Sequence, residues 1–202
     1  MRPAAGLAAG LCATLLLAAG CATPVAPLPA SPVAVGAAIR VDAEAVPLDP
    51  NDPSRDRIGA FAYAGGVSIT SRETSRLHGM SDLKVTSDGR LLAMGDQSDM
   101  LEARIVLDGA GRLAGLTAAT LISLKSPDGA DLFAGGAREY DSEGVARLAS
   151  GELIVSFEQH DRILAFPKDG GAPREAPRPD IRYTDNKGME ALVAAPDVAP
   201  DA

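Results

Sequence analysis

The feature that most constrains the fold is a stretch that occurs twice, at a constant offset of 62 residues and without a gap. Residues 81–101 (SDLKVTSDGRLLAMGDQSDML) can be laid on residues 143–163 (EGVARLASGELIVSFEQHDRI). The alignment pairs Gly89 with Gly151 at a turn. Each copy is typical of a strand, a tight turn and a second strand that ends at an acidic residue. Repeated hairpins of this kind predict a toroidal β-architecture.

The second strand of each copy indicates how the hairpins are arranged. The runs LLAM and LIVS are apolar at consecutive positions instead of alternating. Such strands are buried on both faces, which happens when a sheet lies between two neighbouring sheets. Blades of a β-propeller meet this condition. The sequence therefore predicts an all-β fold, a partial β-propeller with about three blades' worth of antiparallel strands.

A third partial copy begins at Gly188 and places Glu190 on Glu143. The turn glycine of the earlier copies has no counterpart in it, because Val198 stands at that position. A propeller has roughly four to eight blades. We therefore expect residues 56–202 to form an incomplete propeller domain.

The first 20 residues are predicted to be a signal peptide. Met1 and Arg2 form a minimal positive region, residues 7–19 are apolar, and small residues precede Cys21. The apolar run is too short for a membrane span. The residues before Cys21 are similar to a bacterial lipobox, which predicts lipidation of Cys21. The alternative is an ordinary signal peptide, cleaved near Ala22 or Ala26.

Residues 21–55 are rich in Pro and Ala and predict an extended linker, with room for one short strand near residues 37–41. With a lipid on Cys21, the chain would be extracytoplasmic and held at a membrane surface without crossing it. Ala22 directly after the lipidated cysteine fits sorting of the protein to an outer membrane, in a cell that has one. Cys12 and Cys21 are the only cysteines, so a mature chain that starts at Cys21 has no disulfide within it.

The charge of the chain limits its partners. It has 19 basic and 27 acidic residues, a net charge of −8, and 3% aromatic residues. A chain this acidic, without a cluster of Lys and Arg, is not expected to bind nucleic acid. A metal cation is a more natural partner for the surplus carboxylates.

Several motifs then show a resemblance to a known family. Residues 79–96 resemble the pattern G-[LM]-S-x-L followed by D-G-x-L-L-A and an aspartate, and residues 63–67 resemble the stretch that commonly precedes it. Residues 141–146 (DSEGVA) and 156–163 (SFEQHDRI) are similar to two further motifs, and residues 186–192 (NKGMEAL) to a third. The chain resembles the phytase-like domain, often called "esterase-like activity of phytase".

The resemblance implies a β-propeller found in extracytoplasmic bacterial proteins, often lipoproteins, that hydrolyse phosphate or carboxylic esters. A small-molecule ester or phosphoester is then the expected partner. Two other interpretations stay open at this point. One is a lipoprotein of the cell envelope that binds or acts as a scaffold without turnover, and the other is an inactive, truncated remnant.

Spaced carboxylates are the candidate site. Glu143 and Glu158 are 15 residues apart, so a hairpin brings both to the end away from its turn. Around a propeller axis, Asp96, Glu143, Glu158 and Glu190 are expected to converge at one mouth of the channel. Carboxylate oxygens gathered in this way suit Ca²⁺. Glu143, Glu158 and His160 are the candidate catalytic residues, for proton transfer or contact with phosphate.

Each of these residues also has a structural interpretation. Asp96 and Glu158 could cap turns at the ends of strands. His160 and His78 could be surface residues of loops, and Ser81 could be a hydrogen-bonding residue of a strand. The motif GMSDL lacks the second glycine of a G-x-S-x-G nucleophile elbow and does not lead into a helix.

Overall fold

The computed structural model describes residues 37–184 and 187–195. The predicted signal peptide (residues 1–20), Cys21 and the linker as far as residue 36 lie outside the described residues. In the part of the chain that is described, none of the helices has the length and apolar character needed to cross a membrane.

The regular secondary structure of the described residues is almost entirely β-strand, which confirms the all-β prediction. Its strands are β1 Ala37–Ala38, β2 Asp42–Ala45, β3 Arg57–Ile58, β4 Phe61–Ala62, β5 Val67–Thr70, β6 Met80–Val85, β7 Arg90–Gly95, β8 Asp99–Leu107, β9 Leu113–Ser123, β10 Ser142–Arg147, β11 Leu153–Phe157, β12 Arg162–Phe166 and β13 Arg174–Ala176. A 3-10 turn at Leu132–Gly135 and helix α1, Ala137–Tyr140, connect β9 to β10.

Two larger antiparallel sheets each contain one copy of the repeat. The first has the order β1-β9-β8-β7-β6 and the second the order β10-β11-β12-β13. Strands β2 and β5 form a small separate sheet, as do β3 and β4. Consecutive up-and-down strands in two successive sheets are the arrangement of neighbouring propeller blades, so the partial propeller is confirmed.

The two copies are alike down to single backbone hydrogen bonds. The amide of Asp96 donates to the carbonyl of Gly79 at 2.7 Å, and 62 positions later the amide of Glu158 donates to the carbonyl of Asp141 at 2.8 Å. The register of β6 against β7 shifts between Met80 and Asp82, and that of β10 against β11 shifts between Ser142 and Gly144. Both first strands therefore carry a β-bulge at the same position of the repeat.

The main core lies between the two sheets, as expected for strands covered on both faces. Residues of β7 and β8 on one side meet residues of β10, β11 and β12 on the other: Leu92, Met94, Met100, Val145, Leu153, Val155, Phe157 and Leu164. A second cluster, which includes Leu91, Ala93, Leu101 and Leu121, covers the opposite face of the first sheet. The LLAM run is buried along its whole length.

Polar contacts also join the sheets. The Ser142 hydroxyl, fully buried, donates to the carbonyl of Gly95 at 2.7 Å. The amide of Val145 donates to Oδ2 of Asp82 at 2.8 Å. These bonds set β10, the strand that carries Glu143, against β6 and β7.

The structure differs from what the sequence suggests at two places and agrees with it at a third. Residues 113–116 and 121–124 suggest two strands, but β9 runs through most of both with an irregularity at Ala118, where φ is 49°. Strand β13 pairs with β12 inside residues 172–179, which the prolines indicate as a loop. The short strand expected near residues 37–41 is present as β1, and β2 follows it.

Candidate functional site

Three carboxylates meet where the second copy of the repeat begins and where its hairpin ends. Asp141 immediately precedes β10, Glu143 is in the bulge of β10, and Glu158 follows the last residue of β11. Each offers an oxygen atom, and these atoms all lie within 4.8 Å of one another. We call Asp141, Glu143 and Glu158 the acidic cluster.

The bulge explains how Glu143 reaches this position. Ser142 pairs with Phe157 and Gly144 pairs with Ser156, which leaves Glu143 as the extra residue. The amide of Gly144 donates to Oγ of Ser156 at 3.0 Å, so the backbone after the bulge is held. Bulges re-aim a side chain and are frequent beside active sites. Glu143 is thereby half-buried at the end of the hairpin away from its turn.

Glu158 is buried and anchored by a segment distant in sequence. Its exposed fraction is 5%, and its Oε1 accepts a hydrogen bond from the amide of Gly188 at 2.7 Å. A side chain at position 188 would be tightly placed, because a Cβ there would lie 3.0 Å from Cγ and 3.1 Å from Cα of Glu158. The glycine thus allows the backbone of residues 187–190 to approach the carboxylate.

Gly144 allows the same segment to continue across β10. A Cβ on Gly144 would lie 2.6 Å from the amide nitrogen of Leu192 and 2.8 Å from the carbonyl carbon of Ala191. Oγ of Ser156 also donates to the carbonyl of Met189 at 2.8 Å. Glu190 is therefore carried to the edge of the acidic cluster by close backbone packing.

The electrostatic effect of this arrangement is large at Glu143. Burial raises the pKa of Glu143 to about 7, and the charges of Asp141, Glu190 and Glu158 act in the same direction. A hydrogen bond from the Ser81 side chain opposes them, because it stabilises the ionised carboxylate. Desolvation and the charge of Glu158 also raise the pKa of Glu190.

The four carboxylates predicted from the sequence do not all converge. Glu143 and Glu158 belong to the acidic cluster, and Glu190 is close enough for its charge to raise the pKa of Glu143. Asp96 is not among the residues whose oxygens converge. Its side chain packs against Gly79, and its Oδ1 is buried without a hydrogen-bond partner among the described residues.

His160 is not part of the acidic cluster. Nδ1 of His160 is 3.4 Å from Oε1 of Glu139 in α1, and the side chain is 53% exposed. His160 is not among the residues that converge with Glu143 and Glu158. Cys21 lies outside the described residues.

Asp141 is the functional candidate that the repeat did not reveal. The aligned copies begin at Ser81 and Glu143, so Asp141 lies just before the aligned region. Its counterpart 62 residues earlier is Gly79, which has no side chain. The signal that could have found it is the spacing D-x-E in residues 141–143, which puts two carboxylates at alternate positions at the start of a strand.

The comparison with known proteins assigns the chain to a family. A family model described as phytase-like, "esterase-like activity of phytase", matches residues 75–199. The chain belongs to the phytase-like family. The match contains Ser81 and the whole acidic cluster, and membership supports a hydrolase-type function. No curated protein and no solved structure shows significant similarity to the chain.

The acidic cluster of this phytase-like domain fits a hard cation. Ca²⁺ takes six to eight oxygen ligands, mainly from carboxylates, carbonyls and water. The oxygens of Asp141, Glu143 and Glu158 converge within 4.8 Å, and their mutual repulsion contributes to the raised pKa of Glu143. A cation at this place would offset that repulsion. The three residues could therefore hold Ca²⁺, with Glu190 next to them.

Proposed function

We propose that this phytase-like domain hydrolyses ester or phosphoester bonds of small molecules at the acidic cluster, with Ca²⁺ as its cofactor. The observation that carries the proposal is the convergence of Asp141, Glu143 and Glu158 around a carboxylate whose pKa is raised to about 7. A general base works best when its pKa is near the operating pH. Glu143 fits this role, because it can accept and return a proton close to neutrality.

The other two residues of the acidic cluster would hold the cation. Asp141 and Glu158 would bind Ca²⁺ and leave Glu143 beside it as the base, with burial as the main cause of its raised pKa. The Gly188 amide fixes the direction of the Glu158 carboxylate. When bound, Ca²⁺ supplies Lewis-acid polarisation of the ester oxygen and charge stabilisation. Glu143 removes a proton from the nucleophile that attacks the ester, either water or a hydroxyl group. It then delivers this proton to the leaving alcohol. His160 is exposed beside Glu139. Its role in contact with a phosphate or in proton transfer stays a prediction.

Hydrolysis of p-nitrophenyl acetate, butyrate and phosphate by the full-length protein in Ca²⁺ tests the proposal. We expect Glu143→Gln to lower kcat about 100-fold or more, the range typical of a lost general base. Glu44→Gln is the matched control, since Glu44 is exposed in β2 and has no part in the cluster. His160→Ala in the same assays tests the predicted role of the histidine.

Unchanged turnover in Glu143→Gln would contradict the assignment of the base. Binding of Ca²⁺ or of an ester without hydrolysis of any of these substrates would favour the alternative of a binding or scaffold protein of the envelope.

We also propose that the domain works outside the cytoplasm, tethered by a lipid on Cys21. The support is the sequence alone, in which an apolar run and small residues lead to the cysteine. Labelled palmitate should be incorporated into the full-length protein in a bacterial host and not into Cys21→Ser, which should leave the membrane fraction. Equal labelling of both would exclude lipidation at Cys21.

A further inference from the structure

We propose that Oγ of Ser81 is the nucleophile of this hydrolysis and that carboxylic esters are the substrates, attacked through an acyl-serine intermediate. The inference deepens the proposed function and rests on it, because it uses Glu143 as the partner base.

The first support is the position of Ser81 in the fold. The register shift of β6 leaves Ser81 as the extra residue between Met80 and Asp82, and Glu143 is the extra residue 62 positions later in β10. Equivalent bulges in neighbouring blades thus present a hydroxyl and a carboxylate. A bulge takes the place here of the strand-to-helix elbow that exposes the nucleophile in other serine hydrolases.

The second support is the way β6 is fastened to β10. Asp82, the residue after Ser81, accepts a hydrogen bond at Oδ2 from the amide of Val145, two residues beyond Glu143. This bond crosses from one sheet to the other and sets the bulges beside each other. At this junction Ser81 lies close enough to Glu143 for its side chain to lower the pKa of that carboxyl.

The third support is a comparison with the other hydroxyl groups near the cluster. Ser142 and Ser156 are fully buried, and their protons are committed to the carbonyls of Gly95 and Met189 at 2.7 and 2.8 Å. Ser81 is exposed, and its side chain acts on the pKa of the Glu143 carboxyl instead. A nucleophile needs both access to substrate and an adjacent base within hydrogen-bond reach. Of these three serines, only Ser81 has both.

The reaction balances with these two side chains and water. Glu143 takes the proton of Ser81 as Oγ bonds to the carbonyl carbon of the ester. The bond from that carbon to the leaving alcohol oxygen then breaks, the alcohol receives the proton from Glu143, and the acyl group stays on Ser81. Water attacks the acyl-serine with Glu143 as base, which releases the carboxylic acid and returns the proton to Ser81 Oγ.

Trapping the intermediate tests the proposal. Full-length protein in Ca²⁺ is mixed with p-nitrophenyl acetate, the release of p-nitrophenol is followed from the first milliseconds, and quenched samples are analysed by intact and peptide mass spectrometry. We expect a burst approaching one equivalent and an acetyl group on Ser81. An alkyl fluorophosphonate should label the same residue and stop turnover.

Variants separate this proposal from the proposed function. Ser81→Ala should abolish the burst and the labelling and lower kcat about 100-fold or more, whereas Ser68→Ala, which removes an exposed serine of β5, should change neither. If Ser81→Ala keeps full turnover while Glu143→Gln loses it, water attacks directly: Ser81 is not the nucleophile and the proposed function stands. If both variants keep full turnover, both proposals are wrong. An adduct mapped to another residue also overturns the assignment of Ser81.

Discussion

Glu143 lies in surroundings that disfavour the ionised form of its carboxyl group. Burial raises its pKa from 4.5 to about 7, and three neighbouring carboxylates add to the shift. The folded state therefore holds this proton more tightly than the unfolded chain does. Below pH 4.5 both states are protonated at this site and the difference has no effect. As the pH rises through about 7, the folded state must carry a charge that the unfolded chain carries more easily, and stability is lost.

Glu143→Gln should therefore stabilise the protein at high pH while it removes activity. We expect its Tm to exceed that of the wild type at pH 8 in chelator, and the difference to shrink at pH 5, where Glu143 is protonated when folded. Thermal unfolding at both pH values measures this. Glu44→Gln should show no such dependence, and a difference that is equal at pH 5 and pH 8 would contradict the raised pKa.

The buried ion pair of Arg76 and Asp99 has a different role from the cluster. Their side chains are 2% and 1% exposed, and the Arg76 guanidinium also lies 3.7 Å from the centre of the Phe133 ring. Ser123 donates to the other oxygen of Asp99 at 2.7 Å. The pair connects the chain before β6 with β8, β9 and the 3-10 turn, so its role is to hold the first sheet together.

Asp99→Ala should cost about 3 to 5 kcal/mol, since it leaves the Arg76 charge buried and unpaired. The matched control is Glu102→Ala, which breaks a pair with Arg147 in which both side chains are 45% exposed. Such a pair contributes about 0 to 1 kcal/mol. Urea unfolding of the two variants gives the comparison, and equal losses would show that burial is not the decisive factor.

At the scale of elements, the repeat predicted the hairpins better than it predicted the site. The offset of 62 residues placed both copies correctly, because apolar runs and turn glycines determine register. The bulges at Ser81 and Glu143 could not be foreseen, since an extra residue in a strand leaves the composition unchanged. The sequence did not indicate strand β13, because the prolines next to it are typical of a loop. A strand at the edge of a sheet, such as β13 beside β12, tolerates prolines at its ends.

The glycine at position 144 is an element-scale test of how Glu190 reaches the cluster. Gly144→Ala would place a methyl group 2.6 Å from the Leu192 amide, so residues 188–192 must move away from β10. We expect a loss of about 1 to 3 kcal/mol, the usual cost of overpacking, and a lower kcat. Gly109→Ala is the control, because a Cβ at this turn position meets no atom within 4 Å. Equal stability of the two variants would contradict the close packing.

At the scale of the whole molecule, the acidic cluster combines parts of the chain that are distant in sequence. Asp141 follows α1, Glu143 and Glu158 belong to one hairpin, and the segment of Gly188 and Glu190 closes over them. The sequence predicted Glu143 and Glu158 from their spacing, and Glu190 from a partial third copy. It could not predict that Asp141 replaces Asp96 in the cluster, because the approach of one blade to the next is decided by tertiary packing.

Calcium should therefore stabilise the whole domain and not only a loop. A ligand that binds only the folded state adds about 2.7 kcal/mol of stability at 100 times its Kd, so the Tm should rise with Ca²⁺ until the site is full. Asp141→Asn should weaken the rise, because it removes one of the three carboxylates that converge. Asp42→Asn, in the exposed strand β2, should leave it unchanged. A Ca²⁺ dependence of Tm that is the same in Asp141→Asn and the wild type would place the cation elsewhere, and the acidic cluster would then act through its proton chemistry alone.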